Sequence, residues 1–137
     1  EMLIEKTDIK RLFPDALRQW LQWSRANDEF MCVIIRMLID KGANIDDSNY
    51  VCFSSINRIM ENYPIDIIQL AVKKQGLNYT YKSGYTHLQI AMQTQRIDVI
   101  KWLLTYNDII IGDKCIRSAV ASNNIEIIRI IIDKPTK

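Results

Sequence analysis

The chain has 137 residues, of which 48% are hydrophobic and 25% are charged, and its 18 basic and 16 acidic residues give a formal net charge of +2. This length and composition exclude a largely disordered chain and favour one soluble domain with a buried core. Because both signs of charge are scattered along the chain, no basic stretch indicates a nucleic-acid or anionic membrane partner.

The cysteines argue against a disulfide framework or a zinc site. Cys32, Cys52 and Cys115 are odd in number, lie far apart and form no C-x-x-C pair. We therefore expect no cofactor, no metal, and a cytoplasmic or other reducing intracellular compartment, which includes that of a host cell. The sequence also has no apolar run approaching the roughly 20 residues of a membrane span, so no membrane partner is expected.

The N-terminal part predicts a helix pair. Residues 1–13 are interpreted as a cap or remnant helix without a repeat signature. Pro14 suits the first turn of a helix that carries Trp20. A second helix is predicted over Glu29–Asp40, with Gly42 as its left-handed C-cap.

The next stretch predicts a second pair. Residues 45–50 are rich in turn formers, and the adjacent carboxylates Asp46 and Asp47 are interpreted as turn residues rather than metal ligands. A first helix is predicted from Cys52 to Asn62, and Pro64 is expected to start the second helix. The sequon at Asn78 is attributed to chance.

The clearest stretch runs from Lys82 to Asn107. Gly84 is expected to supply a positive φ in a tight turn, Thr86 to cap the following helix, and Ala91 to let two helices approach closely. An apolar stripe at helical spacing then predicts a helix over residues 97–104.

The last stretch predicts a fourth pair after a loop over residues 108–113, with Gly112 at the position equivalent to Gly84. Isoleucines cover most of the circumference of its final helix. A terminal unit should have a polar outer face. We therefore expect either further units in a longer parent protein or packing against another copy of the chain.

These stretches repeat at a period near 33 residues. Ala26, Ile59, Ala91 and Ala119 recur at spacings of 33, 32 and 28. The apolar pairs of the second helices recur in step, at 34–35, 67–68, 99–100 and 127–128.

The third stretch resembles an ankyrin repeat. The matching residues are Gly84, Thr86, Leu88, Ala91, Leu103 and Leu104, whereas His87 stands in place of the family's proline and Gln89 in place of its histidine. The resemblance implies an all-α fold: a solenoid of stacked antiparallel helix pairs joined by extended finger loops. Its repeats would span approximately 14–47, 48–79, 80–108 and 109–137.

The resemblance also implies that another protein binds on the concave face. The positions that it assigns are Trp20, Asp28 and Glu29 in the first repeat, Phe53, Glu61 and Asn62 in the second, Tyr85, Gln93 and Thr94 in the third, and Asp113, Ala121 and Ser122 in the last. Asp46, Asp47, Tyr81 and Lys82 are expected at the tips of the finger loops. Trp20, Phe53 and Tyr85 form an aromatic row, a residue type that often anchors interfaces, and each has a core position as its alternative.

Nothing in the sequence points to catalysis. His87 is the single histidine, and it is expected to hydrogen-bond a neighbouring finger. No phosphate loop or nucleophile elbow is present, so the sequence predicts no enzyme. The predicted function is protein binding. The alternatives are a substrate-recruiting segment of a larger viral or bacterial effector and a homo-oligomeric element that associates through the C-terminal isoleucine-rich helix; a nucleic-acid binder ranks last.

Overall fold

The computed structural model describes residues 29–50 and 54–133, and the regular secondary structure in these ranges is helical. The helices are α1 (Glu29–Asp40), α2 (Ser55–Asn62), α3 (Ile65–Gln75), α4 (His87–Gln93), α5 (Ile97–Leu103), α6 (Asp113–Ala121) and α7 (Ile125–Asp133). No strand occurs in the described ranges; one isolated antiparallel bridge joins Thr80 to Thr86. The predicted all-α class is confirmed for this part of the chain. The same residues include no helix long and apolar enough to cross a membrane.

The helices pack in two layers. Each first helix contacts its own second helix, in the pairs α2–α3, α4–α5 and α6–α7. In one layer α4 contacts both α2 and α6, and in the other α3 contacts α1, α5 contacts α3, and α7 contacts α5. The α4–α5 pair therefore contacts the pair before it and the pair after it.

Isoleucine and valine side chains at equivalent positions build the core between the layers. Ile67, Val99 and Ile127 follow each other at spacings of 32 and 28, and all three are fully buried. Ile35, Ile68 and Ile100 belong to the same cluster. Because these side chains belong to one shared cluster, they join neighbouring helix pairs. Burying one such side chain stabilises a fold by about 1.5–3 kcal/mol.

Hydroxyl caps begin two of the first helices, 32 residues apart. Ser54 Oγ accepts a hydrogen bond from Asn57 N at 3.2 Å. Thr86 Oγ1 accepts one from Gln89 N at 3.4 Å, while Gln89 Oε1 accepts one from Thr86 N at 2.8 Å, which completes a capping box. The predicted Thr86 cap is confirmed. The start of α2 differs from the prediction, because Ser54 is its cap and the helix begins at Ser55 rather than at Cys52.

The turns correct one predicted equivalence. Gly42 and Gly84 have φ values of 91° and 87°, as predicted, whereas Gly112 has an extended φ of −98° and caps α6. Gln95 and Asn123, 28 residues apart, do share positive φ values of 59° and 55°. The 28-residue spacing therefore holds from the ends of α4 and α6 onward. Gly112 departs from it because α6 has nine residues and α4 has seven.

Arg96 joins two helix pairs through a contact that the sequence analysis missed. Its Nη1 donates hydrogen bonds to the carbonyl oxygens of Met60 (2.8 Å) and Tyr63 (2.7 Å), at the C-terminal end of α2. Its Nε and Nη2 donate to Asp98 in α5 at 3.1 and 2.9 Å. The carbonyls at a helix end lack intrahelical partners, so a guanidinium placed there satisfies them and complements the helix dipole.

Candidate functional site

A groove lies between the two neighbouring first helices α2 and α4. Asn57, Glu61, Gln93 and Thr94 line it, and its volume is about 320 Å³. Three of these, Glu61, Gln93 and Thr94, are sequence-predicted site residues, and the structure brings them together. Glu61 and Gln93 are 32 residues apart, so the groove combines equivalent positions of adjacent units.

Hydrogen bonds to neighbouring residues orient the side chains that line the groove. Asn57 is buried, and its Nδ2 donates a hydrogen bond to Glu61 Oε1. Thr94 Oγ1 donates hydrogen bonds to the carbonyl oxygens of Ile90 (2.9 Å) and Ala91 (3.3 Å), so Thr94 caps the C-terminal end of α4. The groove therefore presents an oriented, exposed carboxylate beside the exposed amide of Gln93. A partner with cationic or amide donors would complement it.

Asn57 was missed by the sequence analysis. It lies one helical turn before Glu61, and at i, i+4 the two side chains share one helix face. That spacing is the signal that would have found it.

The other predicted residues of the central units lie outside this groove. Asn62 is exposed, and its Nδ2 donates to the Arg58 carbonyl at 3.4 Å. Tyr85 is half-buried and packs against the hydrophobic core. The ring of Tyr85 is therefore only partly accessible to a partner.

The predicted residues at the two ends of the chain are dispersed. Glu29 and Asp113 are the exposed first residues of α1 and α6. Ser122 is half-buried; its Oγ donates to the Ala119 carbonyl at 2.6 Å, and its own carbonyl accepts from Gln95 Nε2 at 3.3 Å. Trp20, Asp28 and Phe53 lie outside the described residues.

Two of the four predicted loop-tip residues are buried. Asp46 Oδ1 accepts a hydrogen bond from Lys82 N at 2.9 Å, and its Oδ2 accepts one from the hydroxyl of Tyr79. Tyr81 is 3% exposed. Asp46 and Tyr81, which the resemblance places at loop tips, thus have side chains that bond to the neighbouring loop or pack inside. Lys82 is exposed.

Asp47 is half-buried and caps the start of α2. Its carboxylate accepts hydrogen bonds from both the backbone N and the hydroxyl of Ser55. A carboxylate at a helix N-terminus also interacts favourably with the helix dipole. This side chain therefore has a structural role beside its predicted place at a loop tip.

Asn78 repeats the arrangement of Asp46 one unit later. It lies 32 residues after Asp46, its Oδ1 accepts a hydrogen bond from Ile110 N at 2.9 Å, and its Nδ2 donates to the Asp108 carbonyl at 2.8 Å. Each of these side chains thus joins its own loop to the next loop. The sequon at Asn78 was attributed to chance from the sequence, although the 32-residue spacing of Asn78 from Asp46 was visible.

His87 lies fully buried beneath the loop that precedes α4. Its Nε2 is 2.6 Å from the Tyr81 hydroxyl, and the two rings meet edge to face at 5.1 Å. Its Nδ1 makes no hydrogen bond of standard geometry. Burial lowers the pKa of His87 from 6.5 to about 4, and the nearby Leu77 backbone opposes this only in part. Burial also raises the pKa of Tyr81. His87 therefore belongs to the scaffold as a neutral imidazole.

The stability of the fold should consequently fall between pH 7 and pH 5. At pH 7 the imidazole is mostly neutral in both states; as the pH falls through 6.5, the unfolded chain binds a proton that folded His87, with a pKa of about 4, does not. We expect a loss of about 2 kcal/mol in the free energy of unfolding at pH 5, measured by urea denaturation.

A matched pair of variants assigns that loss. His87 is the sole histidine of the chain. His87→Gln should therefore remove most of the decrease in the free energy of unfolding between pH 7 and pH 5, whereas Tyr81→Phe keeps the imidazole and should retain this decrease. If the free energy of unfolding of His87→Gln still fell by the same amount between pH 7 and pH 5, His87 would not be the cause of the decrease.

A second groove lies on the other layer, between α3 and α5. Its volume is about 530 Å³, and it is lined by Gln69, Val72, Lys73, Gly76, Leu77, Trp102 and Tyr106. Trp102 and Tyr106 meet edge to face at 5.6 Å. No site was predicted in this groove from the sequence.

Residues 29–50 and 54–133 contain no group of three or more His, Cys, Asp or Glu side chains placed to hold a metal ion. Comparison of the chain with family models, with curated proteins and with solved structures finds no match. The function is therefore inferred from the contacts of the chain itself.

Proposed function

We propose that this chain is a non-enzymatic protein-binding module built from ankyrin-like repeats, and that its partner binds in the groove between α2 and α4. The observation that carries the proposal is the groove itself. The groove brings together Glu61 and Gln93, which are equivalent residues of adjacent units. Both side chains are exposed, and the Asn57 side chain beside them is buried.

The repeated connections between units support the ankyrin-like arrangement. The caps Ser54 and Thr86 and the loop links Asp46 and Asn78 each recur at 32 residues. The helices pack in two layers in chain order, pair upon pair. An array in which each unit contacts only its neighbours is the arrangement of solenoid proteins, which bind partners along an extended surface.

The chemistry of the groove suggests the partner's side of the contact. A carboxylate held by Asn57 is an acceptor for lysine, arginine or backbone N–H donors, and charge-assisted hydrogen bonds are about twice as strong as neutral ones. The amide of Gln93 both donates and accepts. We therefore propose a protein segment that offers a basic residue to Glu61 and backbone groups to Gln93.

The test compares proteins captured from cell lysate by the purified chain with those captured by the double variant Glu61→Arg/Gln93→Arg. Both side chains are exposed, so the variant should fold, which circular dichroism checks. We expect the affinity for the captured protein to fall at least tenfold, equivalent to about 1.4 kcal/mol, because the carboxylate becomes a cation.

Lys73→Glu is the matched control. It also reverses an exposed charge, but it lies in the groove of the other layer. The control should bind as the parent does. Loss of binding in Lys73→Glu with retention in the double variant would move the site to the α3–α5 groove and overturn the proposal. Failure of the purified chain to retain any protein would also count against it.

A further inference from the structure

The contact between α3 and α5 differs from the other contacts in its layer of helices, because it has no ion pair. Lys74 of α3 lies 3.5 Å from Asp40 of α1, and Lys101 of α5 lies 3.8 Å from Glu126 of α7. In the part of the chain that the structure describes, no ion pair joins α3 to α5. A groove of about 530 Å³ lies between these two helices instead.

Lys73 brings a positive charge to this α3–α5 groove. Its side chain is exposed, and no carboxylate of residues 29–50 or 54–133 forms an ion pair with it. Across the groove, α5 presents Trp102, and the Tyr106 ring meets the indole edge to face at 5.6 Å. The described lining therefore contains a cation and no anion, so an anionic ligand would complement it.

The polar side chains of the groove are mainly hydrogen-bond donors. The ammonium of Lys73 and the indole N–H of Trp102 can only donate, whereas the Gln69 amide and the Tyr106 hydroxyl can donate or accept. None of these four side chains makes a hydrogen bond within the described ranges. A carboxylate would supply acceptor oxygens to them, and a charge-assisted hydrogen bond is about twice as strong as a neutral one.

The rest of the groove is apolar. Val72 belongs to the buried core, and Leu77 is half-buried against it. Together with the rings of Trp102 and Tyr106, these side chains offer a surface on which an aromatic ring can pack edge to face or offset. Small-molecule sites of about 300–1,000 Å³ combine such apolar walls with a few polar groups, as this groove does.

We propose that the α3–α5 groove binds a small aromatic carboxylate, whose carboxylate pairs with Lys73 and whose ring packs against Trp102 and Tyr106. A small molecule fits the groove better than a protein segment does. A specific protein interface buries about 1,200–2,000 Å², and a segment that extended along this layer would meet Lys74 and Lys101, which already have carboxylate partners.

This site does not depend on the proposed protein-binding groove, which lies in the other layer between α2 and α4. The variant Glu61→Arg/Gln93→Arg should therefore bind the small carboxylate as the parent does. Conversely, Lys73→Glu should lose the small carboxylate while it keeps the protein partner. Failure of one proposal leaves the other intact.

The test is a titration of the purified, isotope-labelled chain with cinnamate, an aromatic carboxylate, followed by NMR of the indole N–H groups. We expect a saturable shift of the Trp102 signal, which is identified by its absence in Trp102→Phe. The dissociation constant should be about 1 mM or lower, as expected for a ligand of this size. Cinnamamide, which lacks the charge, and propionate, which lacks the ring, should each bind at least about tenfold more weakly.

Lys73→Met should weaken cinnamate binding at least about tenfold, because it removes the cation and keeps the length of the side chain, whereas Lys73→Arg should retain binding. Lys101→Met is the matched control. It removes a cation of the same layer that is already paired with Glu126, so it should bind cinnamate as the parent does. Both lysines are exposed, so all three variants should keep the helical circular dichroism of the parent.

Three results would each overturn the proposal. They are an absence of saturable cinnamate binding, equal binding of cinnamate and cinnamamide, and unchanged binding in Lys73→Met.

Discussion

Replacing Ile100 with alanine is expected to lower the free energy of unfolding by about 4 kcal/mol, measured by urea denaturation. The side chain is fully buried in α5 within the core that joins the helix pairs. Truncation removes three carbons from a site enclosed by neighbouring helices, so the loss combines the transfer free energy with that of the cavity left behind. The expected value lies near the upper end for isoleucine because the side chain is fully buried within the core cluster.

Ile128→Ala is the matched control for this prediction. It changes the same residue type at the equivalent position one unit later, where the side chain is only half-buried. We expect a loss of about 1 kcal/mol, because less apolar surface is buried there. Equal losses for Ile100 and Ile128 would contradict the difference in burial between these two positions.

Replacing Asp46 with alanine is expected to destabilise the fold by about 3 kcal/mol. The carboxylate is buried and accepts hydrogen bonds from Lys82 N and from the Tyr79 hydroxyl. Its removal leaves the backbone N–H without its acceptor and separates two successive loops, and a hydrogen bond to a charged group contributes about 1.5–3 kcal/mol. Thermal or urea unfolding of the variant measures the effect.

Asp40→Ala serves as the control for Asp46. Asp40 also forms a polar contact with a later unit, an ion pair with Lys74 at 3.5 Å, but its side chain is 60% exposed. Exposed ion pairs contribute at most about 1 kcal/mol, so we expect a loss below that value. If Asp40→Ala destabilised the protein as much as Asp46→Ala, the claim that the buried carboxylate of Asp46 contributes more to stability than the exposed ion pair of Asp40 would be wrong.

Most of the helix positions could be predicted from the sequence because the signals are local. Pro64 and the apolar residues that follow it mark the start of α3, which begins at Ile65. Gly42 and Gly84 mark turns that need a positive φ, which other residues adopt only with strain. The recurrence of aliphatic pairs then indicated that each helix pair needs a neighbour.

The contacts between loops could not be predicted from the sequence in this way. Asp46 looks like a turn former in the sequence, and its bonds to residues 33 and 36 positions later depend on how two loops align after the helices have packed. Arg96 likewise binds carbonyls that lie 33 and 36 residues earlier. A polar residue carries no local sign of such a partner, because the partner is a backbone group brought near by other elements.

The candidate groove was only partly predictable, for the same reason. The spacing of 32 residues identified Glu61 and Gln93 as equivalent positions, and the structure places both beside Thr94. It did not identify Asn57, whose buried amide orients the carboxylate.

The sequence by itself determined the helical periodicity and the turn glycines, because these follow from local apolar patterning and φ preference. It also determined the repeat spacing, because the same local pattern recurs along the chain. Only the tertiary structure decided which polar side chains are buried links and which are exposed. It also decided that Leu88 is covered while its equivalent, Ile116, is open. The physical reason is that burial depends on what packs against a residue, and for similar local patterns this differs between α4 and α6.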